Sequence, residues 1–176
     1  MNKIEIVPLS GAVGVEIHNV DLSSDFSDST FSIIREAFVK HGLIFFRDQK
    51  ITPEDHIRFA KRWGKININR FFQPVQGYDQ IAEVRKEPDQ LINIGSSWHT
   101  DHSYDQIPAM GSILLAIETP KVGGDTLFAS MYRAYETLSD ELKRTLEGLK
   151  AIHSSRHIFG KESGYSEASN HRIGNS

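Results

Sequence analysis

A histidine and an aspartate two positions apart, His99 and Asp101, are the strongest candidates for chemistry in this sequence. On an extended segment residues i and i+2 point to the same face, so both side chains would project together and could bind one cation. Thr100 and His102 would point to the opposite face, which predicts that His102 is not a metal ligand. One imidazole and one carboxylate are two members of a 2-His-1-carboxylate facial triad, which leaves positions on iron(II) open for a chelating co-substrate and dioxygen.

The third ligand of such a triad, a second histidine, must come from elsewhere in the fold. The histidines available in the C-terminal part are His153, on a predicted strand, and His157 and His171, in or near a polar tail. An isolated His-x-Asp also occurs often by chance. The rest of the sequence therefore has to decide between a metal site and ordinary polar residues.

Composition narrows the ligands and the partners. The sequence of 176 residues has no cysteine, which excludes disulfides, zinc-thiolate sites and thiol nucleophiles within it. Its formal net charge of −3 gives no general attraction to nucleic acid or to an anionic membrane, so a small anionic substrate would need a local cationic pocket. No signal peptide or bilayer-spanning run is visible, which predicts a cytoplasmic protein without nucleic-acid or membrane partners.

The pattern of apolar residues predicts one continuous domain, residues 1–176, in which strands and helices are mixed. Strands are predicted at residues 4–7 and 43–46, with a helix at residues 31–41 between them. Thr52 as N-cap and Pro53 after it predict a second helix that Gly64 would end, with Ile57, Ala60 and Trp63 facing the core.

From residue 79 onward the sequence favours strands, at residues 80–84, 91–94, 112–118, 125–128 and 151–154. Residues 120–124 form a predicted turn, and Ser139 caps a predicted helix that runs to Leu149. Residues 160–176 are rich in Gly, Ser, Asn and charge and predict an irregular tail. An end in a polar stretch, after strands have only begun, predicts a sequence that is incomplete at its C-terminus.

Several segments around the His-x-Asp pair form a wider pattern. Trp98-His99-Thr100-Asp101 is followed by Gly123-Gly124-Asp125-Thr126, and further matching segments lie at residues 45–49, 51–53, 108–114 and 134–139. Together they resemble the taurine dioxygenase (TauD/TfdA-like) family, from about residue 4 to about residue 160. The resemblance implies an α+β fold with a double-stranded β-helix core, of the jelly-roll or cupin kind, flanked by helices and incomplete at the C-terminus.

The same resemblance implies a function and a set of site residues. It implies a dioxygenase that uses iron(II), 2-oxoglutarate and dioxygen to hydroxylate a small organic acid of the sulfonate or aryloxy-acid type. His99 and Asp101 would be the first two metal ligands, and the hydroxyl of Thr126 would help to hold the carboxylate of 2-oxoglutarate. Members also carry a distal histidine ligand and an arginine for that carboxylate, and no residue of this sequence matches either motif.

Substrate residues follow from the same resemblance. Four positions correspond to the substrate pocket of taurine-specific relatives. Asn69 replaces a histidine of those relatives, Phe72 a tyrosine and Gly95 an asparagine, and Phe159 matches an aromatic residue of the pocket wall. Three polar contacts are thus changed, which disfavours taurine itself as the substrate. Arg70 and Arg85 could supply positive charge for another small anion, although surface arginines without such a role are more common.

Two other classes of protein stay open. A truncated, non-catalytic family member that serves as a binding or assembly module fits the missing distal motifs. A zinc or manganese hydrolase would use His99, Asp101 and a nearby histidine, but no His-Glu-x-x-His motif supports it. The sequence leaves the oligomeric state open, a homo-oligomer included.

Overall fold

The computed structural model describes residues 3–91, 95 and 97–156, and the chain divides into two compact units. The first unit comprises Met1–Ile66 and Leu115–Gly148, and the second comprises Asn67–Leu114 and Leu149–Ser176. Helices and strands are mixed, in agreement with the predicted α+β content. The predicted irregular tail, residues 160–176, lies outside the described residues, and the single domain stays a prediction.

A small three-stranded sheet lies at the start of the first unit. Strand β1 (Glu5–Pro8) runs antiparallel to β2 (Val15–His18), and β2 runs parallel to β3 (Ile44–Phe45). The predictions of strands at residues 4–7 and 43–46 are confirmed with shifted ends, whereas β2 was not predicted. Pro8 lacks the N–H that a continuing ladder would need, and β1 ends there.

Two capped helices cover this sheet region. Helix α1 (Asp28–His41) begins three residues before the predicted start, because the Ser27 side chain accepts a hydrogen bond from the backbone N–H of Thr30. Gly42 ends it with φ 70°, a conformation that glycine adopts without strain. Helix α2 (Pro53–Trp63) begins, as predicted, at a capping box between Thr52 and Asp55.

The buried core lies between β2, α1 and α2. It consists of seven residues with at most 9% exposure: Val15, Ile17, Val20, Leu22, Ile34, Ala37 and Phe59. Phe59 is the buried residue of α2, whereas Ile57 and Ala60, predicted to face the core, are half-buried. The predicted core residue Trp63 packs edge-on against Phe31, Phe38 and Phe59, with ring centroids 5.1, 5.3 and 6.0 Å apart.

Shorter elements complete the described chain. The first unit also contains α3 (Met131–Glu136), which was not predicted, and α4 (Asp140–Leu146), which Ser139 caps as predicted but which ends before Leu149. In the second unit, β4 (Pro74–Val75) and β5 (Tyr78–Ala82) form an antiparallel hairpin. Strand β5 confirms, with shifted ends, the strand predicted at residues 80–84.

Three predicted strands are wrong. Residues 112–118, 125–128 and 151–154 take part in no ladder within the described chain, and Leu114, Ile117 and Ile152 are 77, 86 and 98% exposed. A strand needs a neighbouring segment whose N–H and C=O groups pair with its own, and β-propensity alone does not provide one. Of the strand predicted at residues 91–94, Leu91 lies outside any ladder and residues 92–94 lie outside the described residues.

Across the part of the chain that the structure describes, no helix has the length and apolar character needed to cross a membrane. The cytoplasmic location stays a prediction.

Candidate metal centre

The side chains of His99 and Asp101 come together in the second unit. His99 Nε2 lies 3.3 Å from Asp101 Oδ1. Two ligands at right angles on one metal, each with a bond of about 2.1 Å, lie about 3.0 Å apart. The pair therefore fits two adjacent positions on one ion after a small adjustment. The backbone differs from the predicted extended segment, because residues 101–104 form a turn.

His99 is held so that one ring nitrogen is available. Its Nδ1 lies 2.8 Å from the backbone carbonyl oxygen of Ser97, which can only accept a hydrogen bond. In a metal-bound, neutral imidazole Nδ1 would therefore carry the proton, and Nε2, the nitrogen that faces Asp101, would be the metal ligand. A backbone carbonyl on the far nitrogen is the usual way in which proteins fix the tautomer and orientation of a metal-binding histidine.

Asp101 is oriented by a hydroxyl from farther along the chain. Ser112 Oγ donates a hydrogen bond of 3.0 Å to Asp101 Oδ2, which leaves Oδ1 facing His99. The side chains of His99 and Asp101 are 42% and 59% exposed, so an ion could reach them from solvent. Each candidate ligand thus has one side-chain atom held by a hydrogen bond, Nδ1 of His99 and Oδ2 of Asp101, and a second atom directed at the other ligand.

Gly95 leaves room for the histidine ring. It adopts φ 71°, and a Cβ built on it would lie 3.4 Å from His99 Cε1. That distance is at the short limit of van der Waals contact, so a methyl group at this position would touch the edge of the imidazole. The structure thus places Gly95, predicted to face the substrate, beside His99.

A second group of interacting side chains surrounds Asp105, four positions after Asp101. This Asp105 cluster consists of Arg70, Phe71, His102, Tyr104 and Asp105. Asp105 Oδ1 accepts from Arg70 Nη2 at 2.8 Å, and Oδ2 lies 3.0 Å from His102 Nδ1. These hydrogen bonds, that of His102 first, hold the pKa of Asp105 below its usual value. Tyr104 lies edge-on to Phe71, and its burial raises the pKa of its hydroxyl. The imidazole of His102 is thus hydrogen-bonded to Asp105.

The predicted substrate residues have mixed outcomes. Asn69 closes a turn, because its Oδ1 accepts from the backbone N–H groups of Phe71 and Phe72 at 2.8 and 3.2 Å. Phe72 is half-buried in the same loop, residues 69–72. Phe159 lies outside the described residues. The substrate roles of these residues stay predictions.

Thr126 belongs to the first unit, whereas His99 and Asp101 belong to the second. Its side chain is exposed, and its role towards 2-oxoglutarate stays a prediction. The turn before it requires glycine: Gly123 and Gly124 both have φ 76°, and a Cβ on Gly124 would lie 2.8 Å from Pro120 Cγ. This supports the prediction of a turn at residues 120–124.

Both arginines considered for anion binding have acidic partners. Arg70 pairs with Asp105 as described, and Arg85 Nε lies 2.6 Å from Glu87 Oε1. Within residues 3–91, 95 and 97–156, no group of three or more His, Asp or Glu side chains could hold a metal ion. His153 is exposed, and His157 and His171 lie outside these residues.

Comparison with known proteins identifies the family. Residues 5–174 match the family model described as "Taurine catabolism dioxygenase TauD, TfdA family", so the chain belongs to this family of 2-oxoglutarate-dependent dioxygenases. It is similar to an alkylsulfatase of Acinetobacter baylyi, with 33% identity over 90% of this chain and 49% of that protein. It is also similar to the (S)-phenoxypropionate/alpha-ketoglutarate-dioxygenase of Sphingobium herbicidovorans, with 31% identity over 89% of this chain and 55% of that protein.

A solved structure gives the same result. The crystal structure of a taurine dioxygenase from Burkholderia xenovorans matches with a TM-score of 0.72 and 32% identity, over 82% of this chain and 52% of that one. The chain therefore spans about half the length of the relatives that it matches. The resemblance inferred from the signature segments is confirmed at the level of the family.

Sequence reasoning missed the residues that orient the pair. Ser112 lies eleven positions after Asp101, within a segment that matched the family pattern but had no assigned role. Asp105 was not singled out, although it lies only four positions after the candidate ligand Asp101. Both contacts depend on the turn at residues 101–104.

Proposed function

We propose that this chain carries part of the active site of an iron(II)- and 2-oxoglutarate-dependent dioxygenase that hydroxylates a small organic anion. The observation that carries the proposal is the separation of 3.3 Å between His99 Nε2 and Asp101 Oδ1, with each side chain oriented by its own partner. One neutral nitrogen and one carboxylate suit the facial triad of iron(II) oxygenases. Membership of the family supplies the co-substrate.

The substrate class rests on the relatives. Their names refer to alkyl sulfates, a phenoxypropionate and taurine, which are small organic compounds that carry a sulfate, carboxylate or sulfonate group. We infer that the substrate here is likewise a small organic anion. Asn69 uses its amide oxygen to close its own loop, and both Arg70 and Arg85 are paired with carboxylates. The charge that binds the anion is therefore expected outside the described residues.

The remaining parts of the site are assigned by analogy with the family. We infer a jelly-roll core, with a distal histidine as third ligand and an arginine for the 2-oxoglutarate carboxylate, both outside the described residues. Thr126 would donate its hydroxyl to that carboxylate. Phe72 and Phe159 would line an apolar part of the substrate pocket, beside Gly95.

The residues of this chain would contribute binding and orientation. With dioxygen, the metal and 2-oxoglutarate supply the oxidising chemistry, in which 2-oxoglutarate yields succinate and carbon dioxide while a substrate C–H bond becomes C–OH. His99 presents Nε2 because Ser97 holds the proton on Nδ1, and Asp101 presents Oδ1 because Ser112 occupies Oδ2. This fixed arrangement lowers the reorganisation needed when the metal binds.

The test measures metal and co-substrate binding before turnover. The weak visible charge-transfer band of anaerobic iron(II) with 2-oxoglutarate would be recorded for this chain and for a version extended through its downstream reading frame, each with the variants His99→Ala and Asp101→Ala. We expect the band in the extended protein and its loss in both variants. Succinate formation with a panel of sulfonates, sulfate esters and aryloxy acids then identifies the substrate.

Two results would change the assignment. A band in the chain without extension would show that a histidine within it completes the site. Absence of the band from both versions would refute the dioxygenase and favour the non-catalytic binding module.

A further inference from the structure

The two oxygens of the Asp105 carboxylate bind two different parts of the second unit. Oδ1 accepts from Arg70, in the loop of residues 69–72, and Oδ2 pairs with His102, in the turn that begins at Asp101. The side chains of Asp105 and His102 are each 17% exposed, whereas that of Arg70 is 60% exposed, so the His102 contact is the better shielded from water. Asp105 therefore links the loop to the turn.

The loop at residues 69–72 is held on its own side of this link. Asn69 Oδ1 accepts two backbone N–H groups and fixes the turn of the loop. The Arg70 guanidinium lies over the rings of Phe71 and Tyr104, 5.0 and 5.6 Å from their centroids. Its position is thus set by aromatic contacts as well as by Asp105.

The turn at residues 101–104 depends on Asp105 for its shape. His102, the residue after Asp101, has φ 53°, which is uncommon for a residue with a side chain. The backbone N–H of Asp105 donates to the carbonyl of His102 at 3.0 Å, and the Asp105 side chain binds the His102 ring. Both contacts stabilise the reversal that follows Asp101 directly.

We propose that Asp105 is a positioning residue that holds loop 69–72, with its substrate-facing Phe72, in a fixed place relative to the metal ligand Asp101. The proposal rests on the proposed function, since it gives Phe72 and Asp101 the roles assigned there. Displacement of a substrate by about 1 Å can reduce a rate by about a hundredfold, so a link of this kind would govern coupling between the co-substrate and substrate reactions.

The experiment compares Asp105→Asn with Arg70→Met, the double variant, and the control Asp89→Asn in the full-length protein. The amide of Asp105→Asn keeps the size of the carboxylate but has no charge and only one accepting oxygen, so while it accepts from Arg70 it can keep the second contact only if His102 Nδ1 changes from donor to acceptor. Asp89 is exposed, lies in the same unit and is outside the Asp105 cluster. Its variant controls for the loss of one negative charge.

The turnover measurement separates positioning from general damage. For Asp105→Asn we expect KM for the organic acid to rise about tenfold, and more succinate to form per hydroxylated product, because a mispositioned substrate is not hydroxylated each time 2-oxoglutarate is consumed. Arg70→Met should act in the same direction, and the double variant should be no worse than Asp105→Asn, because both changes break one link. KM for 2-oxoglutarate and the charge-transfer band should stay unchanged, because the variant keeps the backbone N–H of residue 105 that closes the turn after Asp101.

A measurement without turnover tests the link directly. Bound Mn(II) should enhance the nuclear relaxation of the backbone amides of Phe71 and Phe72 in the wild type and in Asp89→Asn, and this enhancement should fall severalfold in Asp105→Asn. If the wild type makes no succinate, the proposed function fails, and the relaxation measurement still decides the role of Asp105.

Three results would overturn the proposal. The first is a lower melting temperature of Asp105→Asn with unchanged KM and product ratio, which would indicate a structural role only. The second is a lower KM, which would indicate that Asp105 restrains Arg70 from binding the anion. The third is an absence of Mn(II)-dependent relaxation at the loop in the wild type.

Discussion

Removal of the Ser112 hydroxyl should weaken metal binding at the candidate site. Ser112→Ala deletes the donor that occupies Asp101 Oδ2 and leaves the His99 contact with Ser97 intact. Without that donor the carboxylate can rotate, and Oδ1 is less often directed at His99 Nε2. The metal must then order Asp101 when it binds.

The magnitude follows from the exposure of the carboxylate. A hydrogen bond to a charged group contributes about 1.5–3 kcal/mol when both groups are shielded from water. Asp101 is 59% exposed, so water replaces part of the lost contact. We therefore expect a loss of about 1 kcal/mol, which corresponds to an increase of about fivefold in the Kd for the metal. Loss of a group that orients a metal ligand typically costs about tenfold or more in metal affinity, so about fivefold lies below that range, as the exposure of Asp101 leads us to expect.

The assay is titration of the full-length protein with Mn(II), with the free ion followed by electron paramagnetic resonance. Ser97→Ala is the matched control, because it also removes a serine hydroxyl beside the pair but keeps the backbone carbonyl that binds His99. Ser112→Thr keeps a hydroxyl and should recover most of the affinity. An equal Kd for Ser112→Ala and the wild type, or equal losses in Ser112→Ala and Ser97→Ala, would refute the reasoning.

Three further predictions concern Gly95, the core and acid stability. Gly95→Ala should weaken Mn(II) binding without loss of folding by circular dichroism, because alanine is strained at φ 71° and relief of that strain would shift the backbone whose methyl group contacts the His99 ring. Phe59→Ala should lower the free energy of unfolding in urea by about 3–5 kcal/mol, whereas Val39→Ala, at a side chain 73% exposed, should change it by less than about 0.5 kcal/mol. The Thr52 backbone N–H and then Arg58 lower the pKa of Asp55, so its stabilising effect exists above the pKa of the unfolded state and disappears as the pH falls through the lowered value. The difference in melting temperature between the wild type and Asp55→Asn should therefore shrink below about pH 4, and a constant difference would contradict this.

Local signals predicted the helices better than the strands. Thr52 and Ser139 were predicted as caps, and each accepts a hydrogen bond from a backbone N–H three residues later, an interaction contained in the local sequence. Ser27 caps α1 in the same way but was not predicted, so the start of that helix was placed three residues too late. The strands predicted at residues 112–118 and 125–128 fail because pairing depends on a distant partner, which local composition does not specify. Helix α3 was missed because its six residues, Met131–Glu136, give too short a stretch for a clear helical period.

The site shows the same division between local and distant information. His99 and Asp101 could be found because they lie two positions apart in the sequence and within a segment typical of the family. Their approach to 3.3 Å agrees with the expectation that they project together. Ser112, Gly95 and Asp105 acquire their contacts only through backbone reversals, at Gly95 with φ 71° and at His102 with φ 53°. Such reversals bring together side chains whose spacing has no simple period.

The position of the core along the chain has a consequence for the order of folding. The seven buried apolar residues of the described part of the chain lie between Val15 and Phe59, so this core is synthesised before His99. Chains fold from the N-terminus during synthesis, and contacts that are close in sequence form fastest. We therefore expect the β1–β3 and α1–α2 region to form early on the ribosome and the metal-binding segment to be added to it later. Sequence change at the metal-binding pair can then alter chemistry while the early folding steps proceed unchanged.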